Sequence, residues 1–416
     1  MRLLVVGGGG REHALAWRLA AEAEVWCAPG NPGIAEDVET LPTKATDTEG
    51  LIRAAKDLQA DAVVVGPEDP LVNGLADALR ASDVPVYGPG AEGARLEASK
   101  AFSKDLMAEA GVPTAAFSTF TASGEAIVYA RDRYAEGTAL AIKASGNALG
   151  KGVVVAETFE EAEDAIRRMM DAREFGEAGS TLVLEERLVG AEFSLLTMVS
   201  DEGFRSLPVA QDHKRALDGD LGPNTGGMGT FAPIRSVGAD IIAETEERVV
   251  RPILAALKAR GISYRGTLFS GLMFHHGSVR CLEYNVRFGD PETQTVMRLV
   301  GAGFADAILA CAKGEPIPSF DVSSEAAVTV VVASGGYPGD YAKGLPIEIG
   351  PLPEGAKLFH AGTARSSEGA LVTGGGRVIG ASAVGPDLAT ARQAAYAAAE
   401  AVRFEGAFFR RDIGAK

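Results

Sequence analysis

The segment Glu283-Tyr-Asn-Val-Arg-Phe-Gly-Asp-Pro-Glu-Thr-Gln294 carries an acid, an amide and an arginine at alternate positions. Side chains alternate across a strand, so Glu283, Asn285 and Arg287 share one face if this run is extended. Carboxylate and carboxamide are hard oxygen donors, suited to a Mg²⁺ ion that also holds nucleotide phosphates. Arg287 adds a permanent cation with a planar fork of donors. A metal site beside an arginine is the equipment of phosphoryl transfer, where catalysis is mostly positioning and charge neutralisation. The plainer reading is a strand end followed by a solvated turn at Gly289-Asp290-Pro291.

Other runs add ligands for anions. Gly7-Gly8-Gly9-Gly10-Arg11-Glu12-His13 stands between a first strand and a first helix, where backbone N–H groups approach phosphate. A dinucleotide fingerprint needs a third small residue where Glu12 stands, and an acid where Cys27-Ala28-Pro29 stands. Both tests fail, which argues against a dehydrogenase and favours a sugar monophosphate on Gly9, Gly10, Arg11 and Glu12. Gly66-Pro67-Glu68 opens onto the same crevice, with Glu68 a candidate acceptor for ribose hydroxyls. Lys143 to Gly152 reads as strand, glycine hairpin, strand; the P-loop spacing is absent. There Lys143, Gly150, Lys151 and Gly152 are candidate triphosphate contacts, with Lys100 a second phosphate ligand at a helix start. Glu185, Glu186 and Leu188 form a hinge able to read an adenine edge, and Glu192 follows for ribose hydroxyls. Asp212-His213-Lys214-Arg215 precedes Gly222–Gly229, a run too glycine-rich for helix or strand. It reads as a substrate loop beside a basic cluster, with Asp212, Asn224, Thr225, Gly226 and Gly227 as contacts.

These residues need a scaffold to bring them together. Residues 1–100 alternate short apolar runs with amphipathic ones: strands Arg2–Val6, Glu24–Cys27, Asp61–Val65 and Val84–Tyr87, helices Arg11–Ala21 and Val72–Ala81, and a helix capped by Thr46-x-x-Glu49. That order predicts a doubly wound parallel sheet. Residues 101–320 form a larger mixed α/β and α+β region. Within it, 123–188 is a small unit able to move as a lid. Long helix Asp240–Arg260 and paired strands Gly266–His275 and Ser278–Tyr284 belong to the same region. Residues 321–416 make a small mixed β/α domain with strand Ala326–Ala333 and helix Leu388–Val402.

Composition narrows the class. Net charge is −16, and duplex binding needs a concentrated basic face, so nucleic acid is not an expected partner. Cys27, Cys281 and Cys311 are far apart and in apolar surroundings, consistent with buried thiols in a reducing compartment. The first strand runs into glycines without a secretory segment, and no apolar run approaches the ~20 residues of a membrane helix. A cytoplasmic monomer without membrane partners is the expectation.

Lys143 with its glycine loop, the Glu185 hinge and the Glu283/Asn285 pair, in that order and spacing, resemble an ATP-grasp ligase. The glycine run ending Arg11-Glu12-His13-Ala14-Leu15-Ala16-Trp17 narrows the likeness, as do Gly66-Pro67-Glu68, Asp212–Arg215, Gly222–Gly229 and Asn285–Gln294. So do Gly335–Tyr341 and Phe359–Thr363. Together they resemble the glycinamide ribonucleotide synthetase family along nearly the whole chain. The resemblance implies ATP-dependent joining of glycine to 5-phosphoribosylamine through glycyl phosphate. It implies Mg²⁺ or Mn²⁺ on Glu283 and Asn285, with Arg287, Lys100 and Lys143 offsetting charge as it develops and Lys214 a further catalytic residue. Asp290 and Glu292 would orient an ammonium group. On that basis, Arg287→Met should cut turnover with little change in folding. Two departures stand out: Ser145 and Asn147 replace the family's usual Asp and Leu in the lid loop. Gly266–Phe274 also lacks the upstream metal-binding acid of many ATP-grasp enzymes. Rival readings are another ATP-grasp ligase or carboxylase, and a non-catalytic nucleotide-binding regulator. Asp212–Gly229 and Asp290–Gln294 argue against the first, and retained Lys143, Glu283, Asn285 and Arg287 against the second.

Overall fold

The computed structural model describes residues 1–146 and 152–415. Five strands, β1 (Arg2–Gly7), β2 (Glu24–Pro29), β3 (Glu39–Thr40), β4 (Ala62–Val65) and β5 (Val86–Tyr87), form a parallel sheet ordered β3-β2-β1-β4-β5. Leu3, Leu4, Val5 and Val6 are all buried, because helices cover both faces of this sheet and neither face needs polar residues. The expected parallel sheet is therefore present.

Local punctuation differs from the sequence reading in three places. The helix Thr48–Asp57 is capped by Asp47, which accepts from the Gly50 N–H at 2.9 Å, rather than by Thr46. The run expected as one helix from Val72 is split: Glu68–Val72 ends, Gly74 adopts φ +84°, and Leu75–Arg80 begins. Only glycine takes that left-handed conformation without strain, so it breaks the helix. An unanticipated helix, Ala91–Ala98, leads into Lys100–Glu109.

Strands β6 (Phe117–Phe120), β7 (Leu140–Ala144), β8 (Val153–Ala156) and β9 (Leu182–Glu186) form an antiparallel sheet ordered β6-β9-β7-β8. Helices Ser123–Ala135 and Phe159–Ile166 pack on it around their own core of Ile127, Ile142, Ile166 and Leu182. Next come β10 (Ala191–Ser200), β11 (Gly203–Ser206), β12 (Gln211–Asp212), β13 (Arg215–Leu217), β14 (Leu221–Asn224), β15 (Gly229–Ala232), β16 (Gly266–His275) and β17 (Ser278–Asn285). The sheet ordered β11-β10-β16-β17 carries the acid–amide face.

Part of the supposed irregular loop 222–229 is thus strand. β14 pairs with β13 through Arg215↔Asn224, since a short hairpin ladder satisfies backbone groups that glycine leaves exposed. The C-terminal sheet takes in β12 and β15, followed by β18 (Ala326–Ala333) and the strands Arg377–Gly385 and Ala356–His360. Both ends of the 213–228 loop are therefore anchored on strands shared with the C-terminal region. Helix Leu388–Ala401 lays its small residues Ala391, Ala395, Ala398 and Ala399 into the core beside that sheet.

Candidate active site

Strand β17 presents the face anticipated from its spacing. Gly271 pairs with Glu283 whereas Leu272 pairs with Cys281, so Leu282 is the extra residue of a bulge. A bulge re-aims the residues beyond it. After it, Tyr284, Val286 and Phe288 are buried while Glu283, Asn285 and Arg287 lie on the opposite, partly open face. Burial by itself would raise the pKa of Glu283, but Lys214, Lys143, Lys100 and Arg287 together bring it below the ordinary value. Cations from four separate segments therefore converge on this carboxylate. Among the described residues, no three His, Cys, Asp or Glu side chains group to hold a metal. One carboxylate and one amide fit Mg²⁺ whose remaining positions are filled by phosphate oxygens and water.

Arg287 is fixed from two sides. Its Nη2 lies 2.8 Å from Glu97 and its Nε 3.3 Å from Glu68, while Glu97 also accepts from the Val286 N–H at 2.8 Å. Glu68 begins its short helix and faces Arg287 and Arg11, whose charges overcome burial and lower its pKa. Glu97 goes the other way: burial dominates and raises it. Arg11 pairs with Glu12, which also accepts from the Gly9 N–H at 2.6 Å. A Cβ on Gly66 would collide with the Glu12 carboxylate, so the second loop can lie this close only as glycine. Glu12 thus ties Gly9 to Arg11, which shares Glu68 with Arg287.

Glu185 ends the buried part of β9. Its Oε2 takes Lys104 and Lys143, each at 3.0 Å, and Lys104 also donates to Thr114 at 2.6 Å. Oε1 of Glu185 is buried and has no hydrogen-bond partner among the described residues. Burial lowers the pKa of both Lys100 and Lys104. Lys100 is the first residue of its helix, and Ser145 is tied to that start: its carbonyl accepts from the Lys100 N–H at 2.8 Å and its Oγ from the Ala101 N–H at 3.0 Å. The hydroxyl at 145 therefore does helix-capping work. Gly152 closes the hairpin, its carbonyl accepting from Ala144. Gly150, Lys151 and Asn147 lie outside the described residues. Glu186 is exposed and Leu188 half-buried beyond the hinge.

The opposite wall is acidic. Burial raises the pKa of Asp212, helped by Glu292, and burial also raises Glu292, whose Oε1 accepts from Ser194 at 3.1 Å. Asp212 Oδ1 has no hydrogen-bond partner among the described residues. Burial opposes ionisation of Asp290, but Arg377 and Arg11 lower its pKa, and Gln294 donates to it at 2.8 Å. Lys214 sits 3.1 Å from Glu192, whose charge holds the ammonium firmly protonated. Thr225 donates from N–H and hydroxyl to the Lys214 carbonyl, each at 2.8 Å, and accepts from the Gly227 N–H at 2.9 Å. Asn224 pairs in the ladder and Gly226 reaches the C-terminal region. His213 is no part of a basic cluster: burial pulls its pKa down to about 4, leaving it neutral.

Three residues were missed in the sequence. Glu97 stands three positions before Lys100, Lys104 lies one helical turn after it, and Arg377 follows the run Gly374-Gly375-Gly376. The i, i+4 spacing of Lys100 and Lys104 on one helix was the available signal for the second.

Comparison with known proteins shows the family. Models of phosphoribosylglycinamide synthetase match in three parts: the N domain over residues 1–97, the ATP-grasp (A) domain over 98–293 and the C domain over 327–416. A phosphoribosylamine–glycine ligase from Vibrio cholerae is 43% identical over 424 residues, spanning 100% of this chain and 98% of its own. One from a Nostoc species is 43% identical over 425 residues, spanning 100% and 99%. The crystal structure of phosphoribosylamine–glycine ligase from Thermotoga maritima superposes with TM-score 0.86 at 36% identity, covering 99% of this chain and 100% of that one. The biotin carboxylase domain of a Hydrogenobacter thermophilus 2-oxoglutarate carboxylase, solved with MgADP and bicarbonate, shares the fold: TM-score 0.73 at 17% identity, covering 98% and 91%. The chain belongs to the phosphoribosylglycinamide synthetase family.

Proposed function

We propose that this chain joins glycine to 5-phosphoribosylamine using ATP, giving glycinamide ribonucleotide, ADP and phosphate, a step of purine biosynthesis. The observation that carries the reading is the shared face of Glu283 and Asn285 at the end of β17 and Arg287 just beyond it, with Lys100, Lys143 and Lys214 near enough to lower the pKa of Glu283. Family membership supports it. The naming of full-length relatives as phosphoribosylamine–glycine ligases does so too.

The chemistry explains the layout. A carboxylate resists attack by an amine because it is anionic and has no good leaving group. Transfer of the γ-phosphoryl group to glycine gives an acyl phosphate, from which the sugar amine then displaces phosphate. Glu283 and Asn285 would hold Mg²⁺ (or Mn²⁺), which when bound neutralises phosphate charge and aligns the γ-phosphoryl group. Lys100, Lys143 and Arg287 offset charge as it develops on the transferring group. Glu185, through its unpartnered oxygen, with Glu186 and Leu188, receives the adenine; Glu192 faces ribose; Gly150, Lys151 and Gly152 cover the phosphates. On the opposite wall Asp290 and Glu292 orient the amine with Asp212 and Lys214. Asn224, Thr225, Gly226 and Gly227 line the acceptor. Gly9, Gly10, Arg11, Glu12 and Glu68 take the phosphoribosyl group. Closure of the lid, about 123–188, excludes water from the acyl phosphate. The division into 1–100, 101–320 and 321–416 follows these roles.

A cytoplasmic monomer acting on small molecules, without nucleic acid or membrane partners, completes the proposal. Among the described residues no helix is long and apolar enough to cross a membrane. The test is phosphate release from ATP with glycine alone, with phosphoribosylamine alone, and with both. Release only with both is expected. Strong release with an unrelated acid and amine, and none with this pair, would overturn the assignment.

A further inference from the structure

We propose that Arg377, carried by the C-terminal sheet, is a positioning residue that locks the substrate loop against the Asp290 turn and so sets the binding of the two non-nucleotide substrates. The inference rests on the function proposed above. It adds a residue and a region to which the sequence assigned no part in that chemistry.

The geometry is convergent. Arg377 Nη1 donates to the Gly226 carbonyl at 2.7 Å and the Asp290 carbonyl at 2.8 Å, with the Gly227 carbonyl at 3.4 Å. The same nitrogen lies 3.4 Å from Asp290 Oδ1. Tyr337, also C-terminal, accepts from the Gly226 N–H through its hydroxyl at 3.1 Å. Both polar groups of the Gly226 backbone are therefore held by side chains from outside the loop. A Cβ on Gly226 would stand 3.0 Å from the guanidinium carbon, so the close approach depends on glycine.

Arg377 opens a strand paired with both β18 and Ala356–His360, which gives the guanidinium a rigid base. What it holds reaches the acidic wall directly. A Cβ on Gly227 would meet Asp212 and Pro291, and one on Gly9 would lie 3.7 Å from Asp290 Oδ2. Losing this guanidinium would free Gly226, Gly227 and Asp290 together, whereas among the described residues Arg377 makes no hydrogen bond or ion pair with Lys143, Glu185 or Lys104. All of these contacts fall on one nitrogen, Nη1, carried at the far end of a planar guanidinium that stays charged.

The test uses the full-length chain, with KM for ATP, glycine and phosphoribosylamine measured separately for wild type, Arg377→Lys and Arg377→Met. Misplacing reacting groups by about 1 Å costs roughly 100-fold, so kcat/KM for glycine and phosphoribosylamine should fall on the order of 100-fold in Arg377→Met. KM for ATP should stay within about threefold, and added guanidinium should restore at least part of the loss, a result that general destabilisation would not give. If Arg377→Met fails to fold, Tyr337→Phe should still raise the substrate KM values by about fivefold at constant KM for ATP. Substrate constants unchanged in the folded variants, or an ATP constant rising in step with them, would overturn the inference. A wild type inactive with the substrate pair would instead refute the function on which it rests.

Discussion

The two walls of the cleft bury carboxyl groups in opposite company. On the wall proposed for the nucleotide, Glu185 and Glu283 are outnumbered by Lys100, Lys104 and Lys143, and with Lys214 reaching across from the other wall the pKa of Glu283 is driven down despite burial. On the wall proposed for the other substrates, Asp212 and Glu292 are both raised, chiefly by burial, with Glu292 adding to the rise at Asp212. On the function proposed above, one wall takes an anion and the other a cation. The chain as a whole carries −16, so overall charge says nothing of this division; local arrangement decides which ligand each wall favours.

The largest expected effect breaks both walls at once. Arg287→Met should reduce turnover by a factor of about 1,000 or more. It also strips Glu68 and Glu97 of their common partner, so stability should fall by roughly 3–5 kcal/mol in urea unfolding. The sequence-based expectation of an unaffected fold is revised accordingly. Arg287→Lys keeps a charge and should recover most stability but little turnover. Full activity in Arg287→Met would remove this residue from the mechanism.

A second pair of variants sharpens the contrast between walls. Lys143→Met should raise KM for ATP by about 100-fold and leave glycine nearly unaffected, while Asp212→Asn should do the reverse. Parallel shifts in both constants would mean that the walls do not act separately.

A smaller effect concerns acid. His213 and His360 are both lowered by burial to about 4. The unfolded chain takes up these protons near pH 6.5 and the folded chain only near 4. The stabilisation is complete above about pH 6.5 and is lost as pH falls toward 4, by up to ~1.4 kcal/mol per pH unit per histidine. Replacing His360 by Gln should flatten the slope of unfolding free energy against pH by about that amount; an unchanged slope would show that His360 is not held neutral. Smallest of all, Ser145→Ala should cost about 1 kcal/mol, the loss of one helix-start hydrogen bond.

The two walls were not equally legible in the sequence. The wall proposed for the nucleotide has its acid–amide pair set within a short run: alternation at the end of β17 puts Glu283 and Asn285 together, and Arg287 follows at the same parity just past the strand. The parallel sheet was readable for the same reason, since apolar runs separated by helical stretches admit few alternatives. The substrate wall depends on long-range packing. Asp212 comes within electrostatic range of Glu292, and Arg377 meets Gly226, because β12 and β15 join a sheet completed by residues beyond 325. Nothing local announces that pairing. The break at Gly74 and the cap at Asp47 were missed because competing local signals, Val72 onward and Thr46-x-x-Glu49, pointed a residue or two away.

The claim beneath both walls is that the γ-phosphoryl group and the glycine carboxylate meet between them. Glycine labelled with ¹⁸O in its carboxylate tests this directly. One labelled oxygen should appear in the phosphate released at each turnover, because the bond broken in the second step lies between that oxygen and the acyl carbon. Phosphate released without label, while glycinamide ribonucleotide still forms, would contradict the account.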